Sequence, residues 1–415
     1  MSEATSLTVV GPTLAEFEDA RLRVARVIDG TPLQSSRSIA EKSGSPVLLK
    51  CENLQRTGSY KIRGAYNRLS RLSDEEKARG VVAASAGNHA QGVAFAAREL
   101  GIRATIFMPV GVALPKLQAT RSYGAEVVLH GHVVGETLRA AADFAERTGA
   151  VVIHPFDHAD IVAGQGTLGL ELLEERPDLE TVLVPIGGGG LASGLASAMK
   201  QKAALDGRTI RIVGVQASHA APYPLSLEAG EVREVEVLPT IADGIAVGRP
   251  GELNFEIIRH YVDEVVTVTD DEIATAMLVL LERAKLVVEP AGAVGVAALL
   301  SGRVRDTGVT VAVLSGGNID PLMMERVISH GLVASERYLR LRVPLPDRPG
   351  QLSRVSEIVA GCNANVVEVL HTRHGTGLQI SQVELELHIE TRGPDHADAV
   401  ISALRADGFE PRLDF

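Results

Sequence analysis

From Val81 onward, short runs rich in β-branched residues alternate with alanine-rich stretches whose apolar positions recur with helical spacing. The runs GVVAAS, RATIFMPV, AEVVLH and AVVIHP predict strands, and stretches such as HAQGVAFAAREL predict the helices between them. Such alternation implies parallel strands covered by helices. It resumes with TVLVPI, LASGLASAMKQKAAL, RIVGVQ and TVAVLSGG, so two open α/β lobes flanking a cleft are expected. After His330 the pattern changes. Strands are expected at Arg340–Pro344, Val366–Arg373 and Ile380–Ile389, helices at Gly350–Ala360 and Asp395–Ala406, and a last strand beyond them. That β-α-β-β-α-β order describes a ferredoxin-like α+β module. The predicted organisation is one α/β region over residues 1–330, its smaller lobe spanning roughly 52–152, followed by the module at 337–415.

Composition narrows the partners. The chain has 415 residues, 45% of them apolar and 22% charged, which suits two or three globular domains rather than a disordered chain. A formal net charge of -11, with basic residues scattered among acids, makes nucleic acid an unexpected partner. Cys51 and Cys362 lie far apart without metal-ligand spacing, so a reduced, cytoplasmic setting is expected. The opening residues lack the basic start and apolar run of a secretory leader, and no stretch is long and apolar enough to predict a membrane span.

Four glycine-rich or turn-rich segments carry the candidate chemistry. Gly187, Gly188, Gly189 and Gly190 follow the strand TVLVPI and precede a helix starting near Leu191. Their N–H groups can converge on a phosphate that the helix N-terminus also favours. The plainer reading is a tight turn. A dinucleotide is a rival, since Gly187, Gly189 and Ala192 satisfy a relaxed G-x-G-x-x-A spacing, but RIVGVQ ends in Gln216 where the ribose-binding acid belongs. In TGSYKIRGA, Lys61 opens an expected helix. A lysine there can form a Schiff base if it is desolvated or near positive charge such as Arg63 or Arg56, whereas most helix lysines are simply solvated. SAGNHAQG, Ser85 to Gly92, follows a strand. Ser85 and the N–H groups can hold a carboxylate, Asn88 can reach a phenolic oxygen, and His89 can instead pack or cap the turn. In SGGN, Ser315 can meet a ring nitrogen or merely cap a helix.

Taken in order, TGSYKIRGA, SAGNHAQG, HPFD with GQGT, GGGGL, ADG, EPAG and SGGNID resemble the fold-type II pyridoxal-phosphate enzymes, and within them the threonine and serine dehydratases. The resemblance implies a two-lobed, tryptophan synthase β-like catalytic region. It implies that Lys61 carries pyridoxal 5'-phosphate as a Schiff base and removes the α-proton, with Tyr60 packing against the ring. It further implies that Asn88 contacts the 3-oxygen, Gly187 to Leu191 bind the phosphate and Ser315 faces the pyridine nitrogen. Ser85, Ala86, Gly87, Asn88, His89 and Phe156 are the implied substrate contacts. The implied reaction is deamination of L-threonine to 2-oxobutanoate and ammonia, with L-serine as a second substrate. Serine-specific dehydratases and β-replacement enzymes remain alternatives, as does a non-enzymatic amino-acid sensor, which the intact Lys61, Asn88 and Ser315 disfavour. Serine racemase is a further rival. Its second proton-carrying serine corresponds to Ala86, and Gln216 and Pro222 stand where carboxylate ligands for a divalent metal would be expected, so no divalent metal is expected. The C-terminal module resembles the ACT family of amino-acid-binding regulatory domains. Asp347 to Leu352, Asn363 and Asn365 stand where an effector or subunit contact is implied, and a homodimer or homotetramer is expected.

Overall fold

The computed structural model describes residues 9–334, 336–373 and 381–413. The chain divides into two compact units, Met1–Pro321 and Leu322–Phe415, so the helix Pro321–Ala334 begins at the division rather than ending the first region.

The first unit contains β1 (Leu33–Ser35), β2 (Val47–Lys50), β3 (Val81–Ala84), β4 (Ala104–Met108), β5 (Glu126–Leu129), β6 (Val151–Val152), β7 (Thr181–Pro185), β8 (Arg211–Ala217), β9 (Glu264–Val268) and β10 (Thr310–Val313). The smaller sheet is parallel throughout, in the order β5-β4-β3-β6. The larger one runs β1-β2-β10-β7-β8-β9 and is parallel except for β1, an antiparallel edge. Helices bury the central strands on both faces, which is why β3, β4, β7 and β10 are buried at every position and read as unbroken apolar runs. No helix among the described residues is long and apolar enough to cross a membrane.

Close helix crossings join the lobes. A Cβ on Gly164 would stand 2.6 Å from the Arg63 carbonyl oxygen, so the helix Ala159–Glu175 packs almost backbone to backbone on the helix Lys61–Ser70. The GQGT segment is thus a packing device. Beneath that crossing, buried Arg63 binds Glu52 at 2.7 Å and Glu171 at 2.6 Å, and buried Lys50 reaches Glu175 at 2.7 Å.

The second unit contains β11 (Tyr338–Pro346), β12 (Asn365–Thr372), β13 (Gln382–Glu390) and β14 (Arg412–Leu413), an antiparallel sheet in the ferredoxin-like order β12-β13-β11-β14. Every second residue of β11, from Leu339 to Leu345, is buried against Val355 and Val359 of the helix Gln351–Gly361 and against Val400 and Leu404 of the helix Pro394–Ala406. Ile380, expected to open the third strand, lies outside the described residues. Asn363 has a φ of 58° and follows the cap residue Cys362, so its local work is to end a helix. Asn365 hydrogen-bonds Glu390 at 3.1 Å.

Candidate active site

Parallel sheets gather their loops at the carboxyl ends of the strands, and ligands bind there. Ser85 follows β3, Gly187 closely follows β7, and Ser315 closely follows β10. These loops meet at a cavity of about 910 Å³ that is lined by every candidate residue: Tyr60, Lys61, Ser85 to His89, Phe156, Gly187 to Leu191 and Ser315. Lys116, Asp243 and Glu289, to which the sequence reading gave no role, line it too.

Lys61 is the first residue of its helix and donates to the Pro155 carbonyl at 3.0 Å. Burial pulls its ammonium down to about 8, and Glu289 only partly opposes this. The two arginines nearby in sequence are not the cause. Arg63 is neutralised by its carboxylates, and Arg56 pairs with Asp29 at 3.2 Å.

The glycine run gains its shape from what surrounds it. Gly189 has a φ of 107°, and side chains on Gly188 or Gly189 would collide with the Phe156 ring and the Tyr223 hydroxyl. Tyr223 donates to the Gly188 carbonyl at 3.1 Å, and Asn254 donates to the carbonyls of Phe156 and Gly188 at 3.1 and 3.3 Å. Gln216 accepts the Tyr223 N–H at 3.0 Å, so it braces this loop from behind. Among the described residues, the N–H groups of Gly188 to Leu191 have no backbone acceptor. Four donors therefore stand ready at the N-terminus of the helix Gly190–Leu205.

On the opposite wall, Ser85 Oγ accepts the Gly87 N–H at 3.1 Å, shaping the turn. Asn88 donates to Glu289 at 2.6 Å and accepts from Asn318 at 2.8 Å. Burial, with Asp243 adding repulsion, raises the Glu289 carboxyl to about 7, while Lys116 pairs with Asp243 at 2.9 Å. His89 bonds the Ile153 carbonyl at 2.9 Å through Nε2. Burial and Lys61 hold its pKa down to about 3, so the ring is neutral and donates. Ser315 caps no helix, for the next one begins at Pro321; its carbonyl accepts the Tyr60 N–H at 3.1 Å.

Residues 24–316 match the family described as pyridoxal-phosphate dependent enzyme. The chain belongs to that family. It is 47% identical over 97% of its length to the L-threonine ammonia-lyase of Thermotoga maritima, covering 99% of that protein. Among solved structures, it is similar to processed threonine deaminase isoform 2 from Solanum lycopersicum, with a TM-score of 0.72 and 34% identity, covering 78% of this chain and 95% of that one. It is also similar to maize serine racemase, with a TM-score of 0.71 and 35% identity, covering 79% of this chain and 99% of that one.

The cavity suits pyridoxal phosphate on its own chemistry. It offers unpaired N–H groups for a phosphate, a partly buried amine of lowered pKa for an aldehyde, an amide N–H and a neutral hydroxyl. Glu289 and Asn318 sit inside the EPAG and SGGNID segments, but sequence alone gave them no function. Their partner, Asn88, is 201 and 230 residues away.

Proposed function

We propose that this protein removes water and then ammonia from L-threonine, giving 2-oxobutanoate, and acts similarly on L-serine to give pyruvate. The observation that carries this reading is the meeting of Lys61, Asn88, Ser315 and the glycine run on one cavity, in a chain similar nearly end to end to a threonine ammonia-lyase. Lys61 would hold the cofactor covalently, Gly187 to Leu191 would hold its phosphate through N–H groups, Asn88 would donate to its phenolic oxygen, and Ser315 would meet its ring nitrogen. When bound, the cofactor supplies an electron sink for the substrate's Cα.

As a free amine, Lys61 would take the α-proton, and burial leaves about half of that amine neutral near pH 8. The N–H groups of Ala86 and Asn88, unlike those of Ser85 and Gly87, have no acceptor among the described residues and are available to the substrate carboxylate, with His89 and Phe156 flanking it. Ser315 is neutral and does not enforce a protonated ring nitrogen, which favours loss of the β-hydroxyl over transamination. Ala86 holds no proton, so nothing at that position returns one to the face opposite Lys61, and racemisation is disfavoured. The released enamine becomes an imine, and water hydrolyses it to the 2-oxo acid and ammonia. The second unit serves as an amino-acid-responsive regulatory domain, a branched-chain or similar amino acid being its effector, in a homodimer or homotetramer.

The test is to incubate the purified protein and pyridoxal phosphate with L-threonine, L-serine or D-serine, and to quantify 2-oxo acid, ammonia and D-amino acid. Equal yields of 2-oxobutanoate and ammonia from L-threonine are expected. D-serine accumulating from L-serine without pyruvate would replace this reading with racemisation.

A further inference from the structure

An asparagine amide presents a carbonyl oxygen on one side and N–H groups on the other, and half a turn about its last bond exchanges them. Three hydrogen bonds fix that choice at Asn88. The Thr57 carbonyl, which can only accept, takes an N–H of Asn318 Nδ2 at 2.7 Å. The other hydrogen of the same Nδ2 goes to Asn88 Oδ1 at 2.8 Å. Asn88 Nδ2 therefore faces Glu289 Oε1 at 2.6 Å, and its second N–H is left for the cavity. Because the chain of donors begins at a backbone carbonyl, its sense cannot reverse.

The anchor is built at some cost. Thr57 is buried in the left-handed region, with a φ of 64°, a conformation that surrounding structure must impose on a β-branched residue. Next to it, Gly58 has a φ of 71°, and any side chain there would strike the Asn318 amide. The Gly317 N–H donates to the Gly58 carbonyl at 2.9 Å. The loop that bears both Ser315 and Asn318 is thus stitched to the turn that leads into Lys61.

We propose that Asn318 is a positioning residue, locking the Asn88 amide so that an N–H, not its carbonyl oxygen, meets the phenolic oxygen of the cofactor. This rests on the reading of Asn88 given above. An N–H there stabilises an ionised phenolic oxygen, whereas a carbonyl oxygen in its place repels it. That oxygen in turn favours a proton on the nitrogen joining the cofactor to Lys61. A donor to the oxygen weakens the attraction, so it lowers the pH at which the visible absorption of the bound cofactor changes.

The experiment titrates that absorption in the full-length holoenzyme and in the Asn318→Ala, Asn318→Asp, Asn88→Ala and Asn88→Ala/Asn318→Ala variants. Glu289, on which Asp243, Lys116, Asn88 and Lys61 act, loses the Asn88 hydrogen bond in both Asn88→Ala variants, so each titration is repeated with Glu289→Gln added, which removes that carboxyl's own titration from the comparison. Asn88→Ala should raise the midpoint. Asn318→Ala should raise it by about half a pH unit or more, and Asn318→Asp, which keeps the volume but cannot donate once ionised, by at least as much. The double variant should move no further than Asn88→Ala alone, since both remove one interaction. If Asn88→Ala shifts the midpoint and neither Asn318 variant does, or if the two shifts add, the lock is overturned while the Asn88 contact stands. If Asn88→Ala itself changes nothing, the contact fails and the lock fails with it. Should Asn318→Ala lose the cofactor, the isosteric Asn318→Asp decides.

Discussion

Lys61 and Glu289 share one cavity, and burial moves their protonation in opposite senses. For Lys61 the folded value, about 8, lies below the ordinary 10.5, so the neutral amine dominates once the pH exceeds about 8. Capture of pyridoxal phosphate by the cofactor-free protein needs that neutral amine. Its rate, followed by visible absorption, should rise with pH and reach half its limit near pH 8; a midpoint near 10.5 would mean that burial exerts no effect. Lys61→Ala should abolish covalent capture and lower kcat for threonine by a thousandfold or more, on the scale of losing a catalytic base. Glu289 is the converse case. Its folded value is raised from 4.5 to about 7, so its contribution to stability is full below pH 4.5 and is lost as the pH rises through 7. Gln imitates the protonated form. Melting of the cofactor-free protein should therefore show Glu289→Gln several degrees above the unaltered chain at pH 8 and level with it near pH 4.5. A pH-independent difference would contradict the assignment.

At the scale of elements, the glycine run is held by the side chains around it as much as by its own backbone. A Cβ on Gly188 would enter the Phe156 ring. Gly188→Ala should weaken pyridoxal-phosphate binding tenfold or more, in line with the roughly 1–3 kcal/mol typical of overpacking. Adding Phe156→Ala should recover part of the loss. An absorbance titration of the two variants checks this, and an unchanged affinity would show that the loop yields. What the sequence made legible follows from range. β7, β10 and the glycine run are local signals, apolar runs ended by residues that permit tight turns. The second unit is legible for the same reason: the alternation in β11 and the short turns need no distant partner. Arg63 misled because Glu52 and Glu171 neutralise it, and Glu171 is 108 residues away. Glu289 and Asn318 gave no functional signal because they act through Asn88 across the fold. Gln216, noted only as a missing acid, turns out to brace the phosphate-loop candidate, a role set by Tyr223 and invisible before the chain folds.

The whole molecule is two units with separate apolar cores: the first is built around its two parallel sheets, and the second around Leu341, Val343, Leu385 and Leu387 with the two helices over them. Every residue that lines the large cavity belongs to the first. A chain ending at Pro321 should therefore keep its fold and its turnover of threonine, with kcat and KM within about twofold of the full chain, because no group assigned to chemistry is removed. It should also lose any response to a branched-chain amino acid, since Asp347 to Leu352, Asn363 and Asn365 leave with the second unit. Initial rates with and without added isoleucine or valine, measured on both chains, test the two claims separately. Loss of turnover in a truncated chain that melts cooperatively and still captures pyridoxal phosphate would mean that the second unit is needed to organise the active site. An undiminished effector response would place the effector site in the first unit, and the regulatory assignment of the second would fall.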